Sequence, residues 1–202
     1  MNPGYLIFHP TLDMPLPALP ALLARLAQTG LTGVPLKDAP NHFLAGEHLL
    51  QRLTFLGCSP NLPLVSDDTA DDAVCTVQLL GPYPTPRLIG GSNSRPPRCH
   101  HCRHPYDNWR DHLSDIEQEV CCPRCGHRCA WHELNWRQMA GAGRLFITIS
   151  QVFPGEAVPT AGLMETLQQT GEPWDYFYAQ PPLRGIEEAV TDGDKEGGVS
   201  GQ

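Results

Sequence analysis

The sequence Cys99-His100-His101-Cys102 is followed, after nineteen intervening residues, by Cys122-Pro123-Arg124-Cys125-Gly126. Each stretch contains a CxxC pair, so one tight turn can present both sulfur atoms to the same ion. Two such pairs supply four thiolates, and structural Zn²⁺ is held tetrahedrally by four sulfur or nitrogen ligands. The spacing therefore predicts one site for Zn²⁺, and its predicted ligands are Cys99, Cys102, Cys122 and Cys125.

The two CxxC pairs differ in the residue that follows them. Gly126 suits a turn residue with positive φ, where backbone amides can point back at the sulfur atoms, and Pro123 stiffens the same turn. In the first pair Arg103 stands at the corresponding position, and both intervening residues are histidines. The first turn therefore departs from the pattern of the second, and the sequence leaves its geometry open.

Residues 97–137 resemble the rubredoxin-like zinc-ribbon family through these two CxxC pairs. The resemblance implies that each pair lies at the tip of a β-hairpin and that the four cysteines named above are the zinc ligands. Zinc ribbons occur in transcription factors, ribosomal proteins, enzymes and adaptors. The resemblance therefore implies a metal and a small β-rich fold rather than a particular task.

Further cysteines and histidines lie close to the second pair in sequence. We interpret Cys121 and Cys129 as residues that pack beside the metal ligands rather than as ligands. His127 and His132 are a reserve that would replace a thiolate if one of the four cysteines pointed away. The sequence alone does not decide whether any of these side chains touches the metal.

The expected role of the zinc is structural. A pair of disulfides is the alternative reading, but nothing marks the chain as secreted, and disulfides are rare in reducing compartments. A catalytic zinc keeps one coordination position open for water, whereas four cysteines close the site. The remaining cysteines, Cys58 and Cys75, stand alone in sequence and are interpreted as small buried apolar residues. The metal would let about forty residues fold without a large core.

Proline and glycine suggest how the chain is divided. The 21 prolines are about twice the average usage, and the stretch 82–98 is rich in both proline and glycine. That composition favours an extended linker. We predict that residues 1–81 form the N-terminal half of an α+β body and that residues 82–98 form a linker. Residues 99–137 form the zinc ribbon, residues 144–180 the C-terminal half of the body, and residues 187–202 an acidic disordered tail.

Two distant segments resemble each other. Residues 22–30 align without gaps to residues 163–171, with five of nine positions identical. Both read as a helix between two strands, because each follows an apolar run and precedes a β-prone segment. Two such β-α-β halves side by side make a ferredoxin-like sandwich with the ribbon inserted between them. A chance similarity between leucine-rich helices is the alternative. The flanking strands are predicted at 5–10, 33–36, 145–154 and 174–179.

The rest of the body is less distinctive. Residues 44–57 are predicted to form an amphipathic helix through five leucines, and residues 73–80 a strand. The N-terminal stretch has no basic start, and its apolar run at 16–27 is interrupted by Pro17 and Pro20. It therefore reads as neither a signal peptide nor a membrane span, and we expect a cytoplasmic protein without membrane association.

The charge distribution bears on the type of partner. The net charge of −8 argues against broad nucleic-acid binding, which depends on neutralising phosphates. Residues 187–202 carry −4 of this total, and the ribbon is near neutral once four thiolates and Zn²⁺ are counted. We therefore expect the ribbon to be a structural and protein-interaction module of an adaptor or regulator that has no enzymatic activity. The partner and the oligomeric state do not follow from the sequence.

A nucleic-acid-binding regulator is the first alternative function. Arginine beside aromatic residues is typical of surfaces that stack single-stranded nucleic acid, and also of protein interfaces. The simpler interpretation is that the ribbon's tryptophans cover the small zinc core. The residues of the nucleic-acid alternative are Arg98, Arg103, Arg124, Arg128 and Trp109.

The second alternative is an enzyme whose site lies in a cleft between body and ribbon, with a structural zinc. The sequence contains no phosphate-binding loop, dinucleotide fingerprint or nucleophile elbow. The aspartates at 67, 68, 71 and 72 could hold a hard divalent ion, but a solvated loop is the commoner explanation. His9 and Asp13 lie close in sequence, which is common in soluble proteins. A deep pocket with convergent histidines and acids would support the enzyme.

Overall fold

The computed structural model describes residues 3–37, 39–56, 62, 74–112, 116–170 and 173–186. Three features of the sequence analysis lie outside these residues: the aspartates between 67 and 72, Cys58, and the predicted acidic tail at 187–202. Among the described residues, no helix has the length and apolar character needed to cross a membrane.

The described residues form an α+β structure with twelve strands, three α-helices and three short 3₁₀ turns. The helices are α1 (Leu19–Gln28), α2 (Leu49–Arg52) and α3 (Ala161–Leu167). The strands are β1 (Gly4–Pro10), β2 (Thr32–Pro35), β3 (His42–Ala45), β4 (Leu53–Phe55), β5 (Thr76–Leu80), β6 (Arg87–Gly90), β7 (Glu119–Cys121), β8 (Arg128–Ala130), β9 (Ala140–Gly143), β10 (Phe146–Val152), β11 (Ala157–Pro159) and β12 (Trp174–Ala179).

Six strands form one sheet in the order β12-β1-β10-β5-β3-β2, and every neighbouring pair is antiparallel. Strands β1 and β5 therefore run in the same direction, and the chain between them includes α1. Strands β10 and β12 also share a direction, and α3 lies between them in the chain. In the sheet, β10 lies between β1 and β5, and β1 lies between β12 and β10. The two units therefore interleave their strands.

The two similar helices bury equivalent leucines in the largest apolar core. Leu22 and Leu26 of α1 are fully buried, and so are their sequence counterparts Leu163 and Leu167 of α3. The burial of each leucine contributes about 1.5–3 kcal/mol. Alternate residues of the central strands face the same core, as expected from the two-residue period of a strand. These residues are Leu6, Phe8, Val77, Leu79, Ile147 and Ile149.

The opposite face of the sheet carries a second apolar cluster. It contains residues from β1, β10 and β12 together with Ile89 of β6. Strand β6 pairs with β9, which has the sequence Ala-Gly-Ala-Gly. A Cβ atom at Gly141 would lie 2.5 Å from His9 Nε2 and 2.6 Å from the Phe177 ring, so the missing side chain allows β9 to pack closely on the body.

The ribbon core continues into the β6–β9 pair. Leu88, Ala140 and Ala142 belong to the same apolar cluster as the ribbon tryptophans. Strand β6 lies inside the stretch 82–98, and Leu88 and Ile89 are buried. The β6–β9 pair thus joins the ribbon to the body. The boundaries between the predicted parts of the chain remain predictions.

The predicted helix at 44–57 is wrong. That segment contains the end of β3, the four-residue helix α2 and the strand β4. Gly46 packs against the backbone of Gly30, where a Cβ atom would collide with the Gly30 carbonyl, and His48 N donates to Gly30 O at 3.0 Å. These long-range backbone contacts fix a turn inside a leucine pattern of helical period.

The strands predicted beside the two similar helices are present. Strands β1, β2, β10 and β12 match the predicted segments within one or two residues, and β5 matches most of 73–80. The first half is nevertheless built differently from the prediction, because β2 pairs with β3 at the edge of the sheet. Strand β5, not β2, is the parallel counterpart of β1.

Candidate metal centre and the adjoining cavity

The sulfur atoms of the four predicted ligands come together at one point. The Sγ atoms of Cys99, Cys102, Cys122 and Cys125 all lie within 4.8 Å of one another. The Cys99–Cys125 separation is 3.7 Å and the Cys102–Cys122 separation is 3.5 Å. Both distances are far longer than a disulfide bond of about 2.05 Å, so these cysteines are free.

These separations fit a tetrahedral metal site. A zinc–sulfur distance of about 2.3 Å places neighbouring sulfur atoms of a tetrahedron about 3.8 Å apart. The Cys99–Cys125 and Cys102–Cys122 distances are within about 0.3 Å of that value. Four sulfur donors favour zinc or another thiophilic metal over hard cations, which prefer oxygen. By its geometry and its donor atoms, the four-cysteine cluster could therefore hold a metal ion.

The two CxxC turns have the same hydrogen-bond pattern. In the first, Cys99 N donates to His104 O at 2.9 Å, and Arg103 N donates to Cys99 O at 2.9 Å. In the second, Cys122 N donates to His127 O at 2.7 Å, and Gly126 N donates to Cys122 O at 2.9 Å. The two turns are thus equivalent, which resolves the geometry that the sequence left open.

Arg103 adopts the conformation for which Gly126 is suited. Its φ is 61° and that of Gly126 is 72°, both in the left-handed region. A side chain in this region costs about 1–2 kcal/mol, a cost that glycine avoids. A Cβ atom at Gly126 would meet no atom within 4 Å, so the side-chain position at this turn is open. The first turn is therefore strained at Arg103, whereas glycine at position 126 avoids this strain in the second turn.

The thiols of the cluster do not ionise alike. Burial disfavours the Cys122 thiolate, but hydrogen bonds from the backbone N–H groups of Cys125 and Arg124 outweigh it and lower the pKa of Cys122 to about 6. For Cys125, the His127 backbone N–H favours the thiolate, but lost hydration and the other three sulfur atoms outweigh it and raise its pKa to about 12. A bound divalent cation would remove this conflict, because it stabilises all four thiolates together.

The other candidate ligands lie outside the cluster. Cys121 is exposed, and its sulfur contacts the backbone oxygen of Gly126 at 3.7 Å. Cys129 packs at the margin of the ribbon core. Neither these two cysteines nor His127 and His132 belong to the four-sulfur group found among the described residues.

The ribbon tryptophans form the core beside the metal centre. Trp109, Trp131 and Trp136 are 3%, 3% and 6% exposed. Trp131 meets Tyr106 edge to face at 5.6 Å between ring centroids, and Trp109 meets Trp136 in the same way at 5.4 Å. Trp109 is thus not available as a platform for stacking bases, although the four arginines proposed with it are exposed.

A cavity of about 430 Å³ lies between the ribbon and the body. One wall comes from the end of β1 and the loop after it, with His9 and Asp13, and another from the start of β12, with Asp175. The ribbon contributes the segment 132–138 and His100, and β9 forms the floor. The volume lies in the range of about 300–1,000 Å³ that is typical of small-molecule sites.

His9 is held in the wall of the cavity by close neighbours. Its ring lies 5.9 Å from that of Phe146 and 5.8 Å from that of Phe177, and Nδ1 is 3.2 Å from Pro10 O. Burial lowers the pKa of His9, although nearby Asp175 opposes this effect. A lowered pKa favours the neutral form of the His9 imidazole at pH 7.

The sequence analysis noted His9 and Asp13 but missed the ribbon side of this cavity. Arg137, His132 and Asp175 are far from His9 in sequence, and only the docking of the ribbon on the sheet brings them together. His9 and Asp175 lie opposite each other in the register of β1 and β12. The register between two distant strands is not visible in a local sequence pattern, and no signal in the sequence identified Arg137.

The protein was compared with protein-family models, with curated proteins and with solved structures. None of the three searches finds a match.

Proposed function

We propose that the four-cysteine cluster holds one Zn²⁺ whose role is structural. The observation that most directly supports this role is that the four sulfur atoms lie within 4.8 Å of one another, with spacings close to those of a tetrahedral zinc–thiolate site. Four thiolates saturate the ion and leave no position for a reacting water. The zinc fixes the two turns and supports the tryptophan core beside them.

The body of the protein is a ferredoxin-like sandwich extended at one edge. The order β12-β1-β10-β5 supports this proposal, since two interleaved β-α-β units define that architecture. The hairpin of β2 and β3 then extends the sheet beyond β5, and the ribbon is an insertion between β5 and β10.

The exposed face of the ribbon serves as a protein-interaction module in an adaptor or regulator, which we expect to act in the cytoplasm. Two features support a protein partner over nucleic acid. The charges of Arg103, Arg124 and Arg128 are offset by Glu119, which pairs with Arg128 at 2.6 Å, and by the net negative charge of a zinc–tetrathiolate centre. The three ribbon tryptophans are also buried, so they cannot act as a platform for bases on this face.

The test is elemental analysis of the purified protein together with affinity capture from lysate, with and without nuclease. One zinc per chain and a defined protein partner that survives nuclease and about 0.3 M salt would support the proposal. Loss of every partner after nuclease or at that salt concentration would favour the nucleic-acid alternative, because phosphate contacts are salt-sensitive. Reduced, chelator-free protein without zinc would contradict the metal assignment.

The alternative of an enzyme with a site between body and ribbon is favoured by one observation. The cavity at that position contains three histidines and three acidic residues among its lining side chains. Neutral His9 beside Asp175 is a pair that could accept and hold a proton. These groups do not define a particular reaction. They do fit a binding site for a small molecule.

A further inference from the structure

Among the described residues, the cavity between ribbon and body contains one arginine, Arg137, that forms no ion pair. Arg137 lines the cavity and is half-buried. Its Nη2 donates to Pro96 O at 2.9 Å, but its Nε is buried and has no hydrogen-bond partner. Within the described part of the chain, no carboxylate lies within 4.0 Å of its guanidinium, since the ion pairs found there involve other residues. The buried Nε is closed to a ligand, but the half-buried guanidinium reaches the cavity wall and carries a full positive charge. A guanidinium with so few hydrogen-bond partners in the chain favours an acceptor from outside it.

The neighbourhood of Arg137 adds positive charge. Arg137 contacts the carbonyl oxygen of Pro96, which lies between Arg95 and Arg98 in sequence, so three arginines are near one another. Burial lowers the pKa of Arg137, and the charges of Arg98 and Arg95 act in the same direction. Such a group repels itself and gains stability when an anion binds. Guanidinium groups also match the planar geometry of carboxylates and the oxygen spacing of phosphates.

The backbone holds Arg137 in an unusual conformation. Both Arg137 and Gln138 have a φ of 54°, in the left-handed region. The conformation is fixed from both sides, because Asn135 Oδ1 accepts from Arg137 N at 2.9 Å and Tyr178 N donates to Gln138 O at 2.9 Å. Two adjacent strained residues in a cavity wall are typical of ligand-binding segments.

The opposite wall has the complementary chemistry. Asp13, in the loop after β1, and Asp175, at the start of β12, contribute carboxylates. Glu133 also lines the cavity, but its Oε2 accepts a hydrogen bond from Ala130 N at 2.6 Å. Asp175 Oδ1 accepts from Tyr176 N at 2.7 Å, which leaves its other oxygen and the Asp13 carboxylate to accept from a ligand. The cavity therefore presents a cation on the ribbon side and carboxylate oxygens on the body side.

We infer that this cavity binds a small anionic metabolite whose phosphate or carboxylate group contacts Arg137 and whose hydrogen-bond donors face Asp13 and Asp175. The volume of about 430 Å³ limits the ligand to a small molecule. The inference uses the zinc-loaded protein, because the ribbon forms one wall, but it does not require a protein partner.

The experiment measures binding of inorganic phosphate and of citrate to the zinc-loaded full chain by isothermal titration calorimetry, in chloride buffer without other oxyanions. The expected result is saturable one-site binding of at least one probe with a Kd below about 1 mM. The probe that binds more tightly distinguishes a phosphate from a carboxylate group. Absence of binding by both probes would overturn the inference.

Two arginine variants separate the site from general charge. Arg137→Gln should weaken binding at least about tenfold, as expected when a charged hydrogen bond is lost. The matched control Arg144→Gln removes the same charge from an exposed residue that does not line the cavity, where Nε donates to Tyr83 O at 2.9 Å. Equal weakening in both variants, or none in Arg137→Gln, would overturn the inference.

A third variant covers a failure of Arg137→Gln to fold. Thr11→Trp places a large side chain at the cavity wall and leaves the bond from Thr11 N to Pro173 O intact. If Arg137→Gln lacks zinc or its circular dichroism spectrum shows that it is unfolded, the binding test rests on Thr11→Trp. Loss of probe binding with zinc retained would support the cavity, and unchanged binding would contradict it.

Discussion

The ribbon and the body are stabilised in different ways. The body buries leucines of two helices against a six-stranded sheet, and its core draws on segments that are more than 100 residues apart in sequence. The ribbon has two three-residue strands of its own, three buried tryptophans and a four-sulfur cluster. A sheet of that size does not fold alone, so the proposed metal would replace core in the ribbon. Loss of the metal should therefore affect the two regions unequally.

The largest effect is expected from removal of a metal ligand. Cys99→Ser or Cys125→Ser should unfold the ribbon and leave much of the body folded, because zinc binding supplies about 10–16 kcal/mol in small zinc domains. Hydrogen exchange with mass spectrometry reports the two regions separately. Residues 119–136 should lose protection, whereas β1, β10 and β12 should keep it.

Cys121→Ser is the matched control, because this cysteine lies outside the cluster and is exposed. It should leave protection unchanged throughout the chain. Equal loss of protection in ribbon and body after Cys125→Ser would contradict the unequal dependence on metal.

Truncation of one core residue in each region sharpens the comparison. Trp136→Ala should destabilise the ribbon by about 3–5 kcal/mol and speed the release of zinc to a chelator. Leu26→Ala should destabilise the body by about 2–5 kcal/mol without that effect on release. Urea unfolding and the rate of chelator-driven release measure the two quantities. Faster release in Leu26→Ala as well would show that ribbon and body unfold as one unit.

The two equivalent turns allow a comparison within the ribbon. Arg103→Gly should stabilise the zinc-loaded ribbon by up to about 1 kcal/mol, because it relieves a positive φ at the cost of chain entropy. Gly126→Ala should destabilise the ribbon by about 1–2 kcal/mol for the reverse reason. Thermal unfolding of the zinc-loaded protein measures both changes. The same sign in the two variants would contradict the equivalence of the turns.

The two similar helices of the body differ at their first residues. The Thr160 hydroxyl accepts from Leu163 N at 3.2 Å and caps α3, whereas Ala18 at the start of α1 has no side-chain cap. Thr160→Ala should cost about 1 kcal/mol in the free energy of unfolding by urea. Thr166→Ala, at a half-buried position in the last turn of the same helix, removes a threonine hydroxyl that does not cap the helix start. It is the control and should cost less than about 0.5 kcal/mol.

A smaller effect should appear in the pH dependence of stability. Because burial lowers the pKa of His9 in the folded state, its contribution is fully present above the unfolded pKa of about 6.5 and is lost as the pH falls towards the folded pKa. The free energy of unfolding of the wild type should thus fall between about pH 7 and pH 5.5 more steeply than that of His9→Gln. Parallel pH profiles would contradict a neutral His9.

The sequence predicted the parts of the molecule that depend on local spacing. The four clustered cysteines followed from two CxxC pairs, and β1, β10 and β12 followed from short apolar runs. The pattern at 44–57 was misleading, because the contact between Gly46 and Gly30 is not encoded in the period of the leucines. Arg103 at a positive φ was equally hidden, since the metal-binding turn imposes it.

The cavity could not be predicted because it depends on how the ribbon docks. Its walls come from β1, β12, β9 and the segment 132–138, and their arrangement follows from the close approach of β9 at Gly141. His9 on its own was an ordinary histidine in a strand. The unpaired Arg137 became informative only when its buried Nε and its neighbours were visible.

The central claim is that one zinc ion bound by Cys99, Cys102, Cys122 and Cys125 holds the ribbon together. The most direct test is elemental analysis of wild-type protein and Cys125→Ser, both purified under reducing conditions without chelator. The account predicts one zinc per chain in the wild type and a clear loss in the variant. Wild-type protein without zinc, or a variant that keeps a full equivalent with a folded ribbon, would contradict it.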